Sequence, residues 1–254
     1  MIALKTSAEI SIMQENGKLL SQILSALCAQ VKPGITTQFL DNMAETLIRE
    51  AGAVPSFKGY SGYPATINAS INEEVVHGIP SLERWLKEGD VFSIDIGLMR
   101  DGLHVDMART VPVGEVDETA QRMLDVAERS LWEGIEQVKI GNRLSDISHA
   151  IGSYVEAAGF HVVKEYVGHG IGKALHEDPQ IPNYGPPGHG IRLRPGIALA
   201  IEPMIKVDSL PTQVQADRWT VVTGSGGLSV HFEHTIVLTE SGAVVVTLGG
   251  DEKA

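Results

Sequence analysis

The chain of 254 residues contains a single cysteine, Cys28. One thiol excludes an internal disulfide and any cysteine-based zinc module. Its neighbours Leu24, Leu27 and Val31 place it in the packing of a buried helix. Basic charge is also scarce: 20 lysines and arginines against 32 acids leave a formal net charge of −12. That deficit argues against non-specific nucleic-acid or anionic-membrane binding, which need basic surface. Long apolar runs are missing as well, and none approaches the roughly 18 residues that span a bilayer. The first residues carry a lone Lys5, and the apolar positions around it are broken by Glu9, Gln14, Glu15, Asn16 and Lys18. No signal-peptide pattern is present there. What remains, 43% hydrophobic and 20% charged residues, is the make-up of an ordinary soluble globular protein with enough chain for a full core. A cytoplasmic enzyme or binding protein is the expectation.

The most informative stretch is Val91 to Val111, in which two apolar runs flank Arg100-Asp101-Gly102, a turn signal. A β-hairpin follows. With a loop from Met99 to Gly102, Leu98 pairs with Leu103 and Asp95 stands directly opposite Asp106. With an Asp-Gly turn alone, Gly97 pairs with Asp106 and the two carboxylates become diagonal neighbours on the same face. In either register two acids crowd together beside Ile94 and Ile96, repelling each other and losing solvation. One could remain protonated, as in an acid-protease dyad; a cation could hold both; or both could lie on a solvated hairpin face.

Elsewhere the pattern alternates helices with strands. Thr6-Ser7-Ala8-Glu9 is a capping box that opens a helix carrying Ile10, Met13, Leu20, Ile23, Leu24 and Leu27. A second helix starts near Thr36 or Thr37 and stops at Gly52. Residues 53–85 are loop-rich, with Gly59, Gly62, Pro64, Gly78 and Pro80. After the hairpin come helices from the Asp117 cap to about Val138 and from the Ser145 cap to Gly159. Strand-like runs occupy 161–167, 197–202, 229–238 and 243–248.

A repeat underlies this order. Val31-Lys32-Pro33-Gly34 recurs as Val138-Lys139-Ile140-Gly141, and Ala51-Gly52 as Ala158-Gly159, at one constant offset. Leu86-Lys87-Glu88-Gly89, leading to Ile94-Asp95, recurs at that offset as Leu193-Arg194-Pro195-Gly196, leading to Ile201-Glu202. His104-Val105-Asp106 is echoed by His231-Phe232-Glu233 after a longer loop, and Val76-His77-Gly78-Ile79 by Gly168-His169-Gly170-Ile171. The chain thus reads as two copies of helix, helix, loop and hairpin, about residues 31–113 and 138–240, within a single domain, 1–254. Two such halves about a pseudo-two-fold axis would gather Asp95, Asp106, Glu202 and Glu233. Uncompensated, that cluster costs many kcal/mol, because buried charge must be paired or metal-bound. Arg109 is the sole cation in the hairpins that could neutralise it, so divalent metal is the economical answer. Oxygen ligands with one or two imidazoles suit Mn, Fe, Co or Zn. Four carboxylates exceed what one such ion takes, which favours two ions about 3.5–4 Å apart. That chemistry suits hydrolysis of an amide or ester.

At this point the residues resemble a known family, the type I methionine aminopeptidases. The resemblance covers nearly the whole chain. It rests on Gly-Tyr-Ser-Gly-Tyr-Pro (59–64), Ile-Asn-Glu-Glu-Val-Val-His-Gly-Ile-Pro (71–80), Gly-His-Gly-Ile-Gly (168–172), Glu-Pro-Met (202–204) and Glu-His-Thr (233–235). It implies the α/β "pita-bread" fold, an α+β arrangement of two pseudo-symmetric halves around a curved, mainly antiparallel sheet. It also implies a five-ligand, two-metal site of Asp95, Asp106, His169, Glu202 and Glu233. In that scheme Asp106 and Glu233 bridge the ions, Asp95 holds one, and His169 with Glu202 holds the other. Glu202 doubles as the proton shuttle. His77 would approach the substrate near the scissile bond and His176 would hydrogen-bond its carbonyl. Tyr60, Tyr63, Trp219 and the side of His77 would line a methionine pocket. Two departures bear on that pocket: Leu175 stands where an aromatic is common, and Phe57 and Asn68 occupy positions often filled by cysteine. Substrates would be peptides and nascent chains with an N-terminal methionine and a small second residue. The resemblance further implies association with the ribosome and a monomeric, cytoplasmic enzyme without specific nucleic-acid or membrane partners.

Gly168-His169-Gly170-Ile171-Gly172 lacks the strand–loop–helix context of a nucleotide loop. His104, His149, His161, His189, His231 and His234 read as surface or supporting residues, His231 and His234 flanking Glu233. A prolidase or aminopeptidase P shares the metal pattern but carries an additional N-terminal domain, whereas about thirty residues precede the repeat here. A metal-free binding protein on this scaffold would have lost ligands, and all five are present.

Overall fold

The computed structural model describes residues 2–249. Helix α1 (Ser7–Cys28) opens on the capping box: the Thr6 hydroxyl accepts from the Glu9 amide at 3.3 Å, and the Glu9 carboxylate accepts from the Thr6 amide at 2.8 Å. Thr36 caps α2 (Thr37–Glu50) and Asp117 caps α3 (Glu118–Ile135), each through a side-chain oxygen on the amide three residues on. The expected Ser145 cap is displaced. Helix α4 (Leu144–Ala157) is capped two residues earlier, at Arg143, where the Asp146 carboxylate accepts from the Arg143 amide at 2.7 Å. The Ser145 hydroxyl instead accepts from the His189 amide at 2.8 Å. Among the described residues no helix is long and apolar enough to cross a membrane.

The first hairpin pairs Val91–Arg100 with Leu103–Pro112 through a two-residue turn, with Asp101 and Gly102 both at positive φ (54° and 74°). That turn sets Arg100 against Leu103 and Gly97 against Asp106. The register with Asp95 opposite Asp106 is therefore not adopted, and the two acids are diagonal neighbours. A tight Asp-Gly turn with both central residues left-handed matches the strands' twist, whereas the longer loop has no such advantage.

Residues 53–85 are less loop-like than the sequence implies. Strand Ile67–Ile71 lies along the hairpin with Asn68 opposite Asp95, and Glu74–Val76 pairs with Val221–Val222. The short strand is masked in the sequence because Asn68 and Ser70 interrupt its apolar positions, although both are buried. The run at 161–167 contracts to a strand at His161–Val162.

In the second half Ala198–Ile201 pairs with His234–Thr239, and Met204–Lys206 pairs with Ser229–His231 in the same register. Glu202 and Glu233 occupy the gap between these two ladders, where Pro203 offers no amide. The run at 229–238 is therefore broken at Phe232-Glu233. Gly168–Gly170 flanks Ala198–Ile201 just as Ile67–Ile71 flanks the first hairpin. His169 and His77 are thus not topological equivalents, despite the echo in their local sequences.

Apolar side chains of α1 and α2 pack on the first hairpin, and those of α3 and α4 pack on the second-half strands, as two buried clusters. Between them runs a seam. Ala108 and Glu233 exchange backbone hydrogen bonds at 3.3 and 2.9 Å. Thr110 and Thr235 complete it with their hydroxyls. Thr110 accepts from the His231 amide and donates to the His231 carbonyl, both at 2.8 Å. Thr235 accepts from the Asp106 amide at 2.9 Å and donates to the Asp106 carbonyl at 2.8 Å.

Because that hydroxyl satisfies two buried backbone groups, the near-isosteric Thr235→Val should lower unfolding free energy by about 1–3 kcal/mol. Urea denaturation reads this directly, and an unchanged midpoint would show that the seam contributes nothing.

Candidate metal centre and cleft

The two halves bring Asp95, Asp106, Glu202 and Glu233 to one buried place at the base of a cavity of about 270 Å³. The carboxyls of Asp95 and Asp106 contact each other, and Asn68 donates to Asp95 Oδ2. His169 enters from the flanking strand, with Nε2 at 3.5 Å from Glu202 Oε1. Its Nδ1 faces the Gly170 carbonyl at 2.8 Å. A carbonyl can only accept, so Nδ1 carries the proton and Nε2 presents a lone pair to the cluster.

Burial raises all four carboxyls above their ordinary range. Asp106, Glu202 and Glu233 are raised well above it, each further by the charge of its neighbours in the cluster, while the Asn68 amide partly offsets the shift at Asp95. Burial also depresses His169 to about 4 and His231 to about 3, so both imidazoles are neutral.

His231 is the clearest departure from the sequence-based picture. It lies within the cluster and not merely behind it, with Nε2 3.7 Å from Glu202 Oε2 and 3.8 Å from Glu233 Oε2. Alternation along the strand could have revealed this, because positions 231 and 233 share a face. His234 instead turns away, its Nδ1 3.0 Å from the Thr247 hydroxyl.

The donor set fits metal. Asp95 Oδ1, Asp106 Oδ1, Glu233 Oε1 and His231 Nε2 are buried with no hydrogen-bond partner. Among the described residues, no lysine or arginine lines the cavity. Two groupings have ligand atoms within 4.8 Å of one another: Asp106, His169 and Glu233; and Glu202, His231 and Glu233. Orphaned acceptors in apolar surroundings are costly alone and are satisfied by a divalent cation.

Above the cluster the wall is aromatic. Tyr63 stands edge-on to Trp219 at 5.2 Å between centroids, and Trp219 is edge-on to His77 at 6.2 Å. Buried Tyr63 points its hydroxyl at the carbonyls of Ile67 and Gly78, each at 3.0 Å. Trp219 is carried by a turn in which the Asp217 carboxylate accepts from its amide at 2.9 Å. Opposite, the Tyr60 hydroxyl lies 2.8 Å from His176 Nδ1, and the His176 ring packs on His169 at 4.4 Å. His77 sits at positive φ (62°) and belongs to neither ligand grouping. Phe57, Asn68 and Leu175 complete the lining, together with Tyr166 and Met204, which the sequence did not single out. Met204 shares the face of Glu202 by alternation, but Tyr166 is brought in only by the fold, edge-on to His77 at 5.7 Å.

A mixed α/β pita-bread scaffold with inward acids and neutral imidazoles at the base of a cleft defines a metal-dependent hydrolase of the peptidase class. The sequence pattern of metallopeptidase family M24 matches residues 11–240. Methionine aminopeptidase 1 of Bacillus subtilis is 52% identical over 97% of this chain and 99% of its own length. The methionine aminopeptidase of Clostridium acetobutylicum is 49% identical over 98% of this chain and 99% of its own. The crystal structure of methionine aminopeptidase from Thermotoga maritima superposes with a TM-score of 0.95 at 44% identity, covering 97% of this chain and 99% of that one. The chain belongs to metallopeptidase family M24 and, within it, to the type I methionine aminopeptidases.

The raised carboxyls set a pH dependence. In metal-free protein the folded state holds protons that unfolded carboxyls would release, so stability falls as pH rises toward and through the raised values. The depressed imidazoles act oppositely, but only below about 6.5, where unfolded histidines charge. Above about pH 6.5 the carboxyl effect stands alone, so chelated protein should lose urea resistance as the pH rises further. Saturating Mn²⁺ should abolish the slope. A flat profile in chelator would mean that the four carboxyls are already ionised in the apo protein.

Proposed function

We infer that the protein removes N-terminal methionine from peptides and nascent chains whose second residue is small, by metal-dependent hydrolysis of the first peptide bond. The observation that carries this is the aromatic cleft of Tyr63, Trp219 and His77 ending on the carboxylate–imidazole cluster, within a chain of the methionine aminopeptidase family. The reading includes residues 1–254 as one catalytic domain with the internal repeat described above. It also includes a cytoplasmic monomer that meets nascent chains at the ribosome.

In this reading Asp106 and Glu233 would be shared by two divalent ions, Asp95 would hold one, and His169 with Glu202 would hold the other. Cobalt, manganese, iron and zinc all suit such donors. When bound, the ions lower the pKa of water and polarise the scissile carbonyl. The chain does the rest. Tyr60, Tyr63, Trp219 and Leu175 enclose the methionine side chain, whose sulfur gains about 0.3–1.5 kcal/mol beside aromatic rings. Phe57 and Asn68 shape the floor. The reading takes Tyr60 as the donor to His176 Nδ1, the tautomer that puts the imidazole proton on Nε2, toward the substrate carbonyl. As the carbonyl becomes tetrahedral, that N–H stabilises the oxygen that gains charge. His77 packs beside the scissile bond and orients it. Glu202 takes a proton from the attacking water and delivers it to the departing amine nitrogen, so the products are methionine and the shortened peptide.

Two measurements test the assignment. Asp106→Asn should abolish turnover and sharply reduce metal content, because an amide cannot supply the charge shared by two ions; full occupancy with substantial activity would remove the bridging role. For specificity, Met-Ala-Ser should be cleaved at least about 10²-fold more efficiently than Met-Lys-Ser or Leu-Ala-Ser, the scale of a few kcal/mol of pocket discrimination. Comparable kcat/KM for Leu-Ala-Ser would indicate a general aminopeptidase, and preference for Xaa-Pro dipeptides would indicate a prolidase.

A further inference from the structure

The third glycine of the Gly168-His169-Gly170-Ile171-Gly172 motif has no part in the centre described above. It is a berth for a lysine from the other end of the chain. A Cβ at Gly172 would overlap Lys5 Cε and stand 2.6 Å from its Nζ. Lys5 is almost wholly buried, and its ammonium donates to Glu177 Oε2 at 2.7 Å and to the Ala3 carbonyl at 3.1 Å. The other oxygen of Glu177 accepts from the Ala174 amide at 3.2 Å. One carboxylate thus ties the loop 172–177 to itself and to the N-terminal arm. The arm is anchored in turn by the Lys5 amide on the Gly196 carbonyl at 2.7 Å. The loop's far side is held by the His104 amide on the Gly172 carbonyl, also at 2.7 Å.

That loop carries Leu175 and His176, the residue immediately before Glu177. A buried ion pair rarely contributes net stability over an apolar replacement, because desolvation offsets its attraction. Its geometric effect is different: two charges with directed hydrogen bonds hold a backbone in one place where apolar packing would let it slide. The exposed pair Lys173–Glu9, at 2.9 Å, lies on the same loop but in solvent, where such pairs count for little.

We propose that Lys5 is a positioning residue for the hydrolysis, holding His176 at the scissile carbonyl through Glu177 and the berth at Gly172. This rests on His176 being the carbonyl donor, and the test separates the two. His176→Ala alone should lower kcat on Met-Ala-Ser by about 10²–10³-fold. Lys5→Met should lower kcat by about 10- to 10²-fold, the cost of a misplacement near 1 Å, with KM and metal content little changed. Gly172→Ala should act in the same direction, because its methyl displaces the ammonium while both charges remain. It carries the test if Lys5→Met does not fold. Added to His176→Ala, either substitution should cost no more than about 2-fold further, since residues acting as one unit are not additive. If His176→Ala retains wild-type kcat, the reading of His176 falls. If His176→Ala is impaired while the Lys5 and Gly172 variants turn over normally, or if their losses add in full to that of His176→Ala, the positioning role is overturned.

Discussion

Four carboxyl groups buried within reach of one another are the constraint on which the rest of this molecule depends. No lysine or arginine lines their cavity among the described residues, and four of the cluster's polar atoms lack any hydrogen-bond partner. Such a cluster is tolerable in two states, protonated or metal-bound, and the fold is arranged to make the second available. Asp95 and Asp106 come from one hairpin, Glu202 and Glu233 from the ladder gap beside Pro203, so neither half holds the complete set. The seam at Ala108, Thr110 and Thr235 locks the halves together next to that set.

Neutral imidazoles follow from the same burial. His169 and His231 are driven far below their ordinary titration range, so at neutral pH they offer lone pairs instead of competing positive charge. The Gly170 carbonyl chooses the tautomer of His169. On the outer side Tyr60 holds His176, which packs directly on His169. One line of contacts therefore runs from the aromatic cleft to the carboxylate–imidazole cluster. The loop bearing His176 is fastened to the N-terminal arm by the ion pair of Lys5 and Glu177.

The hairpin, the helices and the four inward acids were legible in the residues themselves because each has a local cause. Asp101-Gly102 demands a left-handed turn, Thr6 and Glu9 cap one another, and four paired acids with a single arginine among them point to metal. The motifs around Tyr60, His77, His169 and His176 added the family resemblance, and with it the identity of the pocket walls. What the sequence by itself determined, then, was an α/β chain whose inward acids need either protons or a divalent cation.

Only the tertiary structure decided how those parts meet. The turn length chose the diagonal register of Asp95 and Asp106, which the sequence left open between two alternatives. Strand Ile67–Ile71, not the loop carrying His77, took the place beside the first hairpin, because backbone pairing obeys ladder geometry and not local resemblance. Tyr166 joined the site by a contact across separate elements. Lys5 found Glu177 across 172 positions of chain. Short-range pattern is written in neighbouring residues, whereas such contacts depend on which surfaces pack when the two halves close, and no local rule encodes that.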